Sequence, residues 1–75
     1  RAQIYLVTQN KKGMLAAVSN AISMDDANIV ELEAKPSADN LSASNIILEV
    51  ENLEHLSRLM QHLRQIDGVI EVRRR

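Results

Sequence analysis

Alternating apolar and polar side chains open the chain and predict a β-strand over residues 3–8. Ile4 and Leu6 fall on one side of this strand, whereas Tyr5 and Val7 fall on the other. β-Branched and aromatic side chains of this kind favour a pleated, half-buried surface. We therefore expect one side of the strand to contact the core and the other to contact solvent or a partner.

From residue 14 the apolar positions recur every three or four residues, which predicts an amphipathic helix. Asp25 and Asp26 carry negative charge that opposes the dipole at a helix C-terminus, so the helix should end near them. The expected buried stripe consists of Met14, Leu15, Val18, Ala21 and Ile22.

Residues 28–35 alternate again, with Val30, Leu32 and Ala34 expected to point inward. The intervening charged residues and Pro36 at the end of the run favour an edge strand, since proline cannot donate to a sheet ladder. Residues 37–40 are predicted to form a turn. The next strand, over residues 42–50, is apolar on both faces around residues 46–48, which is typical of a central strand.

A second helix is predicted to begin after Asn52, a favourable N-cap residue. Asp67 and Gly68 should stop it, and a last short strand should cover residues 69–72. The helical periodicity predicts a buried stripe of Leu53, Leu56, Leu59, Met60, Leu63 and Ile66.

The predicted order β-α-β-β-α-β, with right-handed crossovers, indicates an α+β fold of the ferredoxin-like type. A four-stranded antiparallel sheet then carries two helices on one face, with the first and third strands in the centre. The other face presents Tyr5, Val7 and Ile47, which are more apolar than a solvated face requires. We expect this face to be an interface with a second copy, as a homodimer, or with a neighbouring domain.

Composition excludes several functions. The net charge is −1, which implies no general attraction to nucleic acid or to a membrane surface. Tyr5 is the only aromatic residue, so the base-stacking aromatics of an RNA-recognition domain are missing. There is no cysteine, so the thiol pair of a copper-chaperone domain is missing too. No apolar run is long enough to span a bilayer, and a cytoplasmic location is expected.

No catalytic constellation is present, and no cofactor is predicted. His55 and His62 are seven residues apart on the second predicted helix, about 10 Å along its axis, which is too far to share one metal ion. We interpret them as a solvated pair and the chain as a non-catalytic domain.

The segment of residues 8–15 joins the first strand to the first helix and contains the candidate binding site. Gly13 can adopt a positive φ angle and allows a close approach to the backbone. The N–H groups that follow it begin a helix and lack intrahelical partners, so they favour an anionic group. A plain turn with solvated lysines is the alternative.

The run from Asn10 to Leu15, with the sequence Asn-Lys-Lys-Gly-Met-Leu, matches the first-loop signature of the ACT domain, Asp-Arg-x-Gly-hydrophobic-Leu. Asn28 and Ile29 match the Asn-Ile that opens the second strand of that family. Residues 12–22, 52–56 and 68–74 are similar to the C-terminal ACT domain of Rel/Spo-type guanosine tetra- and pentaphosphate synthetase/hydrolases (GTP pyrophosphokinases). The chain departs from the loop signature at two positions, where Asn10 replaces aspartate and Lys11 replaces arginine.

This resemblance implies a single regulatory domain over residues 1–75, cut from the C-terminal end of a longer protein. Such a domain senses a small molecule, expected to be an amino acid, or relays a protein contact to a catalytic domain that makes and degrades the alarmones of the stringent response. The implied ligand contacts are Asn10, Lys11, Lys12, Gly13, Met14, Asn28, Ile29 and Val30.

Two alternatives remain open at the level of the sequence. The domain can be a pure docking module for other domains of its parent, or for the ribosome and its uncharged tRNA, without a small-molecule ligand. It can also be the ACT domain of an amino-acid biosynthetic enzyme, with the same fold and a filled pocket.

Overall fold

The computed structural model describes all residues from Arg1 to Arg75. Its elements are β1 (Ala2–Gln9), α1 (Met14–Met24), β2 (Asn28–Ser37), β3 (Leu41–Glu49), α2 (Leu53–Arg64) and β4 (Val69–Arg74). A short 3-10 turn, Ala38–Asn40, connects β2 to β3. The strands form one antiparallel sheet in the order β2-β3-β1-β4. The predicted ferredoxin-like fold, with the first and third strands central, is confirmed.

One aliphatic core lies between the sheet and the two helices. Ile4 and Leu6 of β1 and Ile46 and Leu48 of β3 are at most 1% exposed. They meet a stripe from α1 and one from α2, which together complete a cluster of 12 buried apolar residues. The alternation read from the sequence therefore assigns the inward side of both central strands correctly, because one face of the sheet is covered and the other is not.

The opposite face carries Tyr5, Val7 and Ile47, each of which is partly exposed. No helix covers these side chains, as the sequence predicted.

Four apolar residues that were predicted to point inward are exposed instead, one of them Ala34 of β2. Leu15 is 53% exposed, Leu53 is 64% exposed and Val30 is 39% exposed. Leu15 and Leu53 lie in the first turns of α1 and α2, beyond the part of the sheet that each helix covers. Val30 lies at a bulge, because the pairing of β2 with β3 shifts between Ile29 and Glu31 and leaves one residue without a partner.

The prediction that both histidines are solvated is wrong for His55, which is only 4% exposed. Its Nδ1 accepts a hydrogen bond from the backbone N–H of Glu51 at 3.0 Å. Its Nε2 contacts the backbone carbonyl oxygen of Asp25, where α1 ends. Because Nδ1 accepts, Nε2 carries the proton and donates it to that carbonyl, so the imidazole joins the two helices.

His62 is about half exposed, and its Nδ1 lies 2.6 Å from the Asp25 carboxylate. Asn52 caps α2 as predicted, since its side-chain oxygen accepts from the His55 N–H at 2.8 Å. The end of α1 and the start of α2 are therefore connected by paired polar groups.

Candidate functional site

Gly13, in the turn before α1, has the positive φ angle that was predicted for it. Gly13 is the N-cap residue, with φ 88° and ψ −8°, in the left-handed region. No side chain caps the helix, and its first turn contains no acidic residue. The Met14 N–H donates to the Lys11 carbonyl at 3.3 Å. The positive end of α1 therefore has no anionic or capping side chain of its own.

Two neighbouring connections hold this turn in place. The Gln9 N–H donates to the Gly68 carbonyl, and the Asn10 N–H donates to the Asn40 carbonyl, both at 2.8 Å. Lys11 Nζ lies 3.2 Å from the Asp67 carboxylate. The loop between β1 and α1 is thus fixed between the β2–β3 turn and the α2–β4 turn, at one end of the sheet.

Gly68 is more constrained by packing than Gly13, which the sequence did not indicate. Its φ is 98°, and a Cβ atom there would lie 2.7 Å from the Met14 sulfur and 2.9 Å from Lys11 Cε. A Cβ atom at Gly13 would meet nothing within 4 Å. The first glycine is required by its backbone angle alone, whereas the second also allows Met14 and Lys11 to approach.

Beside the turn, a cleft of about 260 Å³ opens between α1 and the helix-facing side of the sheet. It exists because α1 does not reach the far half of β2, where Ala34 and Pro36 stay exposed. Its lining combines residues from all three neighbouring strands, the loop and α1. These are Leu6, Thr8, Gln9, Asn10, Lys11, Met14, Leu15, Val18, Leu32, Ala34, Pro36, Ser42, Ser44 and Ile46.

Two buried hydroxyl residues stand out in this lining, half of whose residues are hydrophobic. Thr8 is 5% exposed and Ser44 is 7% exposed, yet neither hydroxyl takes part in the side-chain hydrogen bonds of the chain. No buried side-chain oxygen or nitrogen of the chain lacks a hydrogen-bond partner, so these two hydroxyl oxygens stay accessible through the cleft that they face. A bound molecule or water in the cleft can therefore pair with them.

The sequence analysis missed these two residues, although a signal was present. Thr8 follows Ile4 and Leu6 on the inward side of β1, and Ser44 precedes Ile46 on the inward side of β3. A hydroxyl residue at an inward position of a central strand is unusual in a core built from aliphatic side chains. Nothing in the sequence, however, indicated that α1 would leave this part of the sheet uncovered.

The predicted site residues divide into two groups. Asn10, Lys11 and Met14 line the cleft, and Lys12 and Gly13 are exposed just outside its lining. Lys11 is only partly available, because its ammonium group is paired with Asp67.

The second group, Asn28, Ile29 and Val30, lies at the opposite end of the sheet. Asn28 pairs with Glu49 on β3, whereas Thr8 pairs with Ser42, seven residues along the same strand. That separation corresponds to about 23 Å. The Asn28 amide donates to the Glu49 carboxylate at 2.8 Å. Within one chain the fold does not bring this group to the cleft.

No group of three or more histidine, cysteine, aspartate or glutamate side chains is arranged to hold a metal ion. Neither helix has the length and the apolar character needed to cross a membrane.

Comparison with known proteins places the chain in a family. A family model described as "ACT domain" matches residues 1–74. The crystal structure of the ACT domain from GTP pyrophosphokinase of Chlorobium tepidum is similar, with 32% sequence identity and a TM-score of 0.85. That similarity covers 99% of this chain and 95% of the other.

More distant structures share the fold. The small subunit of acetolactate synthase from Thermotoga maritima has 18% identity and a TM-score of 0.86, over 97% of this chain and 45% of that one. A homoserine dehydrogenase from Thiobacillus denitrificans has 15% identity and a TM-score of 0.75, over 97% of this chain and 16% of that one. With its family match, its βαββαβ sheet and its cleft beside the glycine turn, the chain belongs to the ACT domain family, a regulatory fold that binds small molecules.

Proposed function

We propose that this domain senses an amino acid in the cleft and thereby regulates a guanosine tetra- and pentaphosphate synthetase/hydrolase of which it is a part. The main support is the cleft itself, in which the hydroxyls of Thr8 and Ser44 stand among apolar side chains, make no side-chain hydrogen bond within the chain and remain accessible to a ligand. Small-molecule sites typically combine an apolar lining with a few polar groups that orient the ligand. At about 260 Å³ the cleft has the size for a single amino acid rather than for a nucleotide.

The polar groups around the cleft suggest how an amino acid is oriented. The uncapped N-terminus of α1 favours the ligand carboxylate. The Asn10 amide oxygen can accept from the ligand ammonium group, and the lining of Leu6, Leu32 and Ile46 suits an aliphatic side chain. A hydrogen bond from water or from the ligand satisfies the two hydroxyls.

Asn28, Ile29 and Val30 contribute in this proposal only from a second copy. In the amino-acid-binding members that the sequence resembles, the first loop meets the start of the second strand across a dimer interface. Since these segments are about 23 Å apart within one chain, contact between them requires two chains.

The parent enzyme is proposed from similarity. The Chlorobium tepidum domain, with 32% identity over nearly the whole chain, is part of a GTP pyrophosphokinase. A cytoplasmic location and contacts with other domains of the parent, or through it with the ribosome and tRNA, follow from that proposal. The sequence that flanks residues 1–75 in the gene tests it directly, because a synthetase/hydrolase catalytic region is either encoded there or absent.

Calorimetric titration of the chain with each of the twenty amino acids tests the ligand. We expect one or a few aliphatic amino acids to bind, and Thr8→Val to weaken that binding about tenfold by removing one hydrogen-bonding group. Gly13→Ala should abolish binding while the chain stays folded, since its methyl group stands beside the loop N–H groups. Lys12→Ala is the matched control in the same turn and should leave affinity unchanged.

If an amino acid binds and both Thr8→Val and Gly13→Ala leave its affinity within about twofold, the ligand site is elsewhere. If none of the twenty amino acids binds, the domain is better explained as a docking module. One observation favours that second function: Lys11, the only charged side chain of the cleft, already has Asp67 as its partner. The third possibility, an amino-acid biosynthetic parent, also predicts binding and is distinguished by the flanking gene sequence.

A further inference from the structure

The sheet face turned away from the helices has charged edges on both sides of a less polar centre. The central part of this face consists of three rows across the sheet, in the order β2, β3, β1, β4. The first row is Glu31, Ile47, Gln3 and Arg75; the second is Glu33, Asn45, Tyr5 and Arg73; the third is Lys35, Ala43, Val7 and Glu71.

The charges along one edge are opposite in sign, row by row, to those along the other. The β2 edge reads acid, acid, base, whereas the β4 edge reads base, base, acid in the same rows. Each row thus has opposite charges at its two ends. Within the chain these edge charges are only partly paired. The ion pairs are Lys35–Glu33 at 3.9 Å and Arg73–Glu71 at 3.3 Å.

The arginines of the β4 edge are directed over this face. Arg73 Cζ lies 4.7 Å and Arg75 Cζ lies 5.4 Å from the centre of the Tyr5 ring. Arg75 also donates to the Asn45 side-chain oxygen at 3.1 Å. Stacking on the ring keeps both guanidinium groups above the sheet, where a second surface can reach them.

We propose that this face binds the same face of a second copy of the chain, about a twofold axis that lies in the interface and runs along the strands. Such an axis turns the second sheet over and exchanges its edges, so that β2 of one copy faces β4 of the other while the rows stay aligned. Glu31 then faces Arg75, Glu33 faces Arg73, and Lys35 faces Glu71. All three pairs are complementary, and the symmetry forms each of them twice.

A twofold axis across the strands gives a poorer match. It places β2 over β2 and reverses the order of the rows, so Glu33 faces Glu33 and Arg73 faces Arg73 at the middle of each edge. Like charges in opposition disfavour that arrangement. The charge pattern therefore selects the axis along the strands.

The interface is small, which limits the affinity that we expect for the dimer. Three rows across four strands cover about 400 Å² in projection, compared with about 800 Å² per partner in a standard stable interface. Tyr5, Val7, Ala43 and Ile47 supply its partly exposed apolar surface. We expect a dimer with a dissociation constant in the micromolar range, whose orientation depends on the edge charges.

This interface is separate from the cleft, which lies on the helix-facing side of the sheet. Because the rows stay aligned, it leaves residues 28–30 of the second copy at the far end of the sheet, so it is not the pairing through which those residues would reach the first loop. Its test therefore does not depend on whether an amino acid binds.

Sedimentation equilibrium of the 75-residue chain at low salt, with charge-reversal variants, tests the proposal. We expect the unaltered chain to dimerise. E33K or R73E alone should weaken the homodimer at least tenfold, because positions 33 and 73 then carry like charges and face each other twice in each dimer. An equimolar mixture of E33K and R73E should form a heterodimer about as tight as the unaltered homodimer, since every facing pair is again opposite in sign. E54K and R58E, on the exposed side of α2, are controls with the same changes of charge and should dimerise normally.

Three results would overturn the proposal. The first is an unaltered chain that remains monomeric at millimolar concentration. The second is a dimer that E33K and R73E weaken no more than the α2 controls do, which would indicate pairing through another surface, such as the β2 edge. The third is a mixture of E33K and R73E that dimerises no better than either variant alone.

Discussion

The two ends of the sheet differ in how their polar side chains are paired. At the end where α1 stops and α2 starts, His55 has a partner on both ring nitrogens, Asn52 caps the helix, and Asn28 pairs with Glu49. At the other end, Thr8 and Ser44 are buried residues whose hydroxyls make no side-chain hydrogen bond within the chain and stay accessible from the cleft. The first end is closed, and the second borders the cleft.

This contrast separates stability from binding within one small domain. A buried group that is fully paired contributes to stability and is costly to remove, whereas an unpaired one contributes little and is available to a ligand. Substitutions of the paired polar side chains at the closed end should therefore affect unfolding, and those of the two hydroxyls at the open end should affect ligand binding. The following predictions test that division, from the largest expected effect on stability to the smallest.

His55→Ala should destabilise the chain most, by about 3–5 kcal/mol, because it leaves a cavity and two unpaired backbone groups, the Glu51 N–H and the Asp25 carbonyl. Chemical denaturation monitored by circular dichroism measures the loss. His62→Ala is the control on the same helix and should cost less than about 1 kcal/mol, since its pair with Asp25 is half exposed. Equal losses at the two positions would mean that the His55 ring does not keep its two hydrogen bonds in solution.

Gly68→Ala should cost about 2 kcal/mol, because the left-handed backbone is unfavourable for alanine and Met14 must move. Gly13→Ala has the same backbone penalty without the contact, and about 1 kcal/mol is expected. Thermal unfolding of both variants measures the difference. Equal losses at the two positions would show that the contact with Met14 is easily relieved.

Asn52→Ala removes the side-chain cap of α2 and should cost about 1 kcal/mol. Asn52→Asp, which retains a capping oxygen, should restore most of that stability. Denaturant unfolding of the two variants compares them. If the aspartate variant is no more stable than the alanine variant, the cap does not contribute at this position.

Thr8→Val and Ser44→Ala should change the free energy of unfolding by less than about 0.5 kcal/mol, because neither removes a hydrogen bond within the chain. These same variants are the ones expected to weaken ligand binding. A loss of more than about 2 kcal/mol from either would place its hydroxyl in a structural hydrogen bond and remove the distinction between the two ends.

Local patterns along the chain were sufficient for the architecture. The two-residue alternation of residues 3–8 and the helical periodicity after residue 14 each reflect a covered and an uncovered side, and this information lies within a few neighbouring residues. The Gly13 turn and the Asn52 cap were predictable for the same reason, since backbone angle and capping are local properties.

The errors occurred where the outcome depends on distant segments of the chain. His55 is buried because its ring bridges to the end of α1, thirty residues away, and helical periodicity alone does not indicate that contact. Val30 turns outward because β3 pairs with β2 in a register that contains a bulge. Leu15 and the hydroxyls of Thr8 and Ser44 border a cleft because α1 covers only part of the sheet. The sequence thus specifies which residues are able to be buried, while the packing of helices on the sheet and the register of the strands specify which ones are, because burial depends on neighbours that come from elsewhere in the chain.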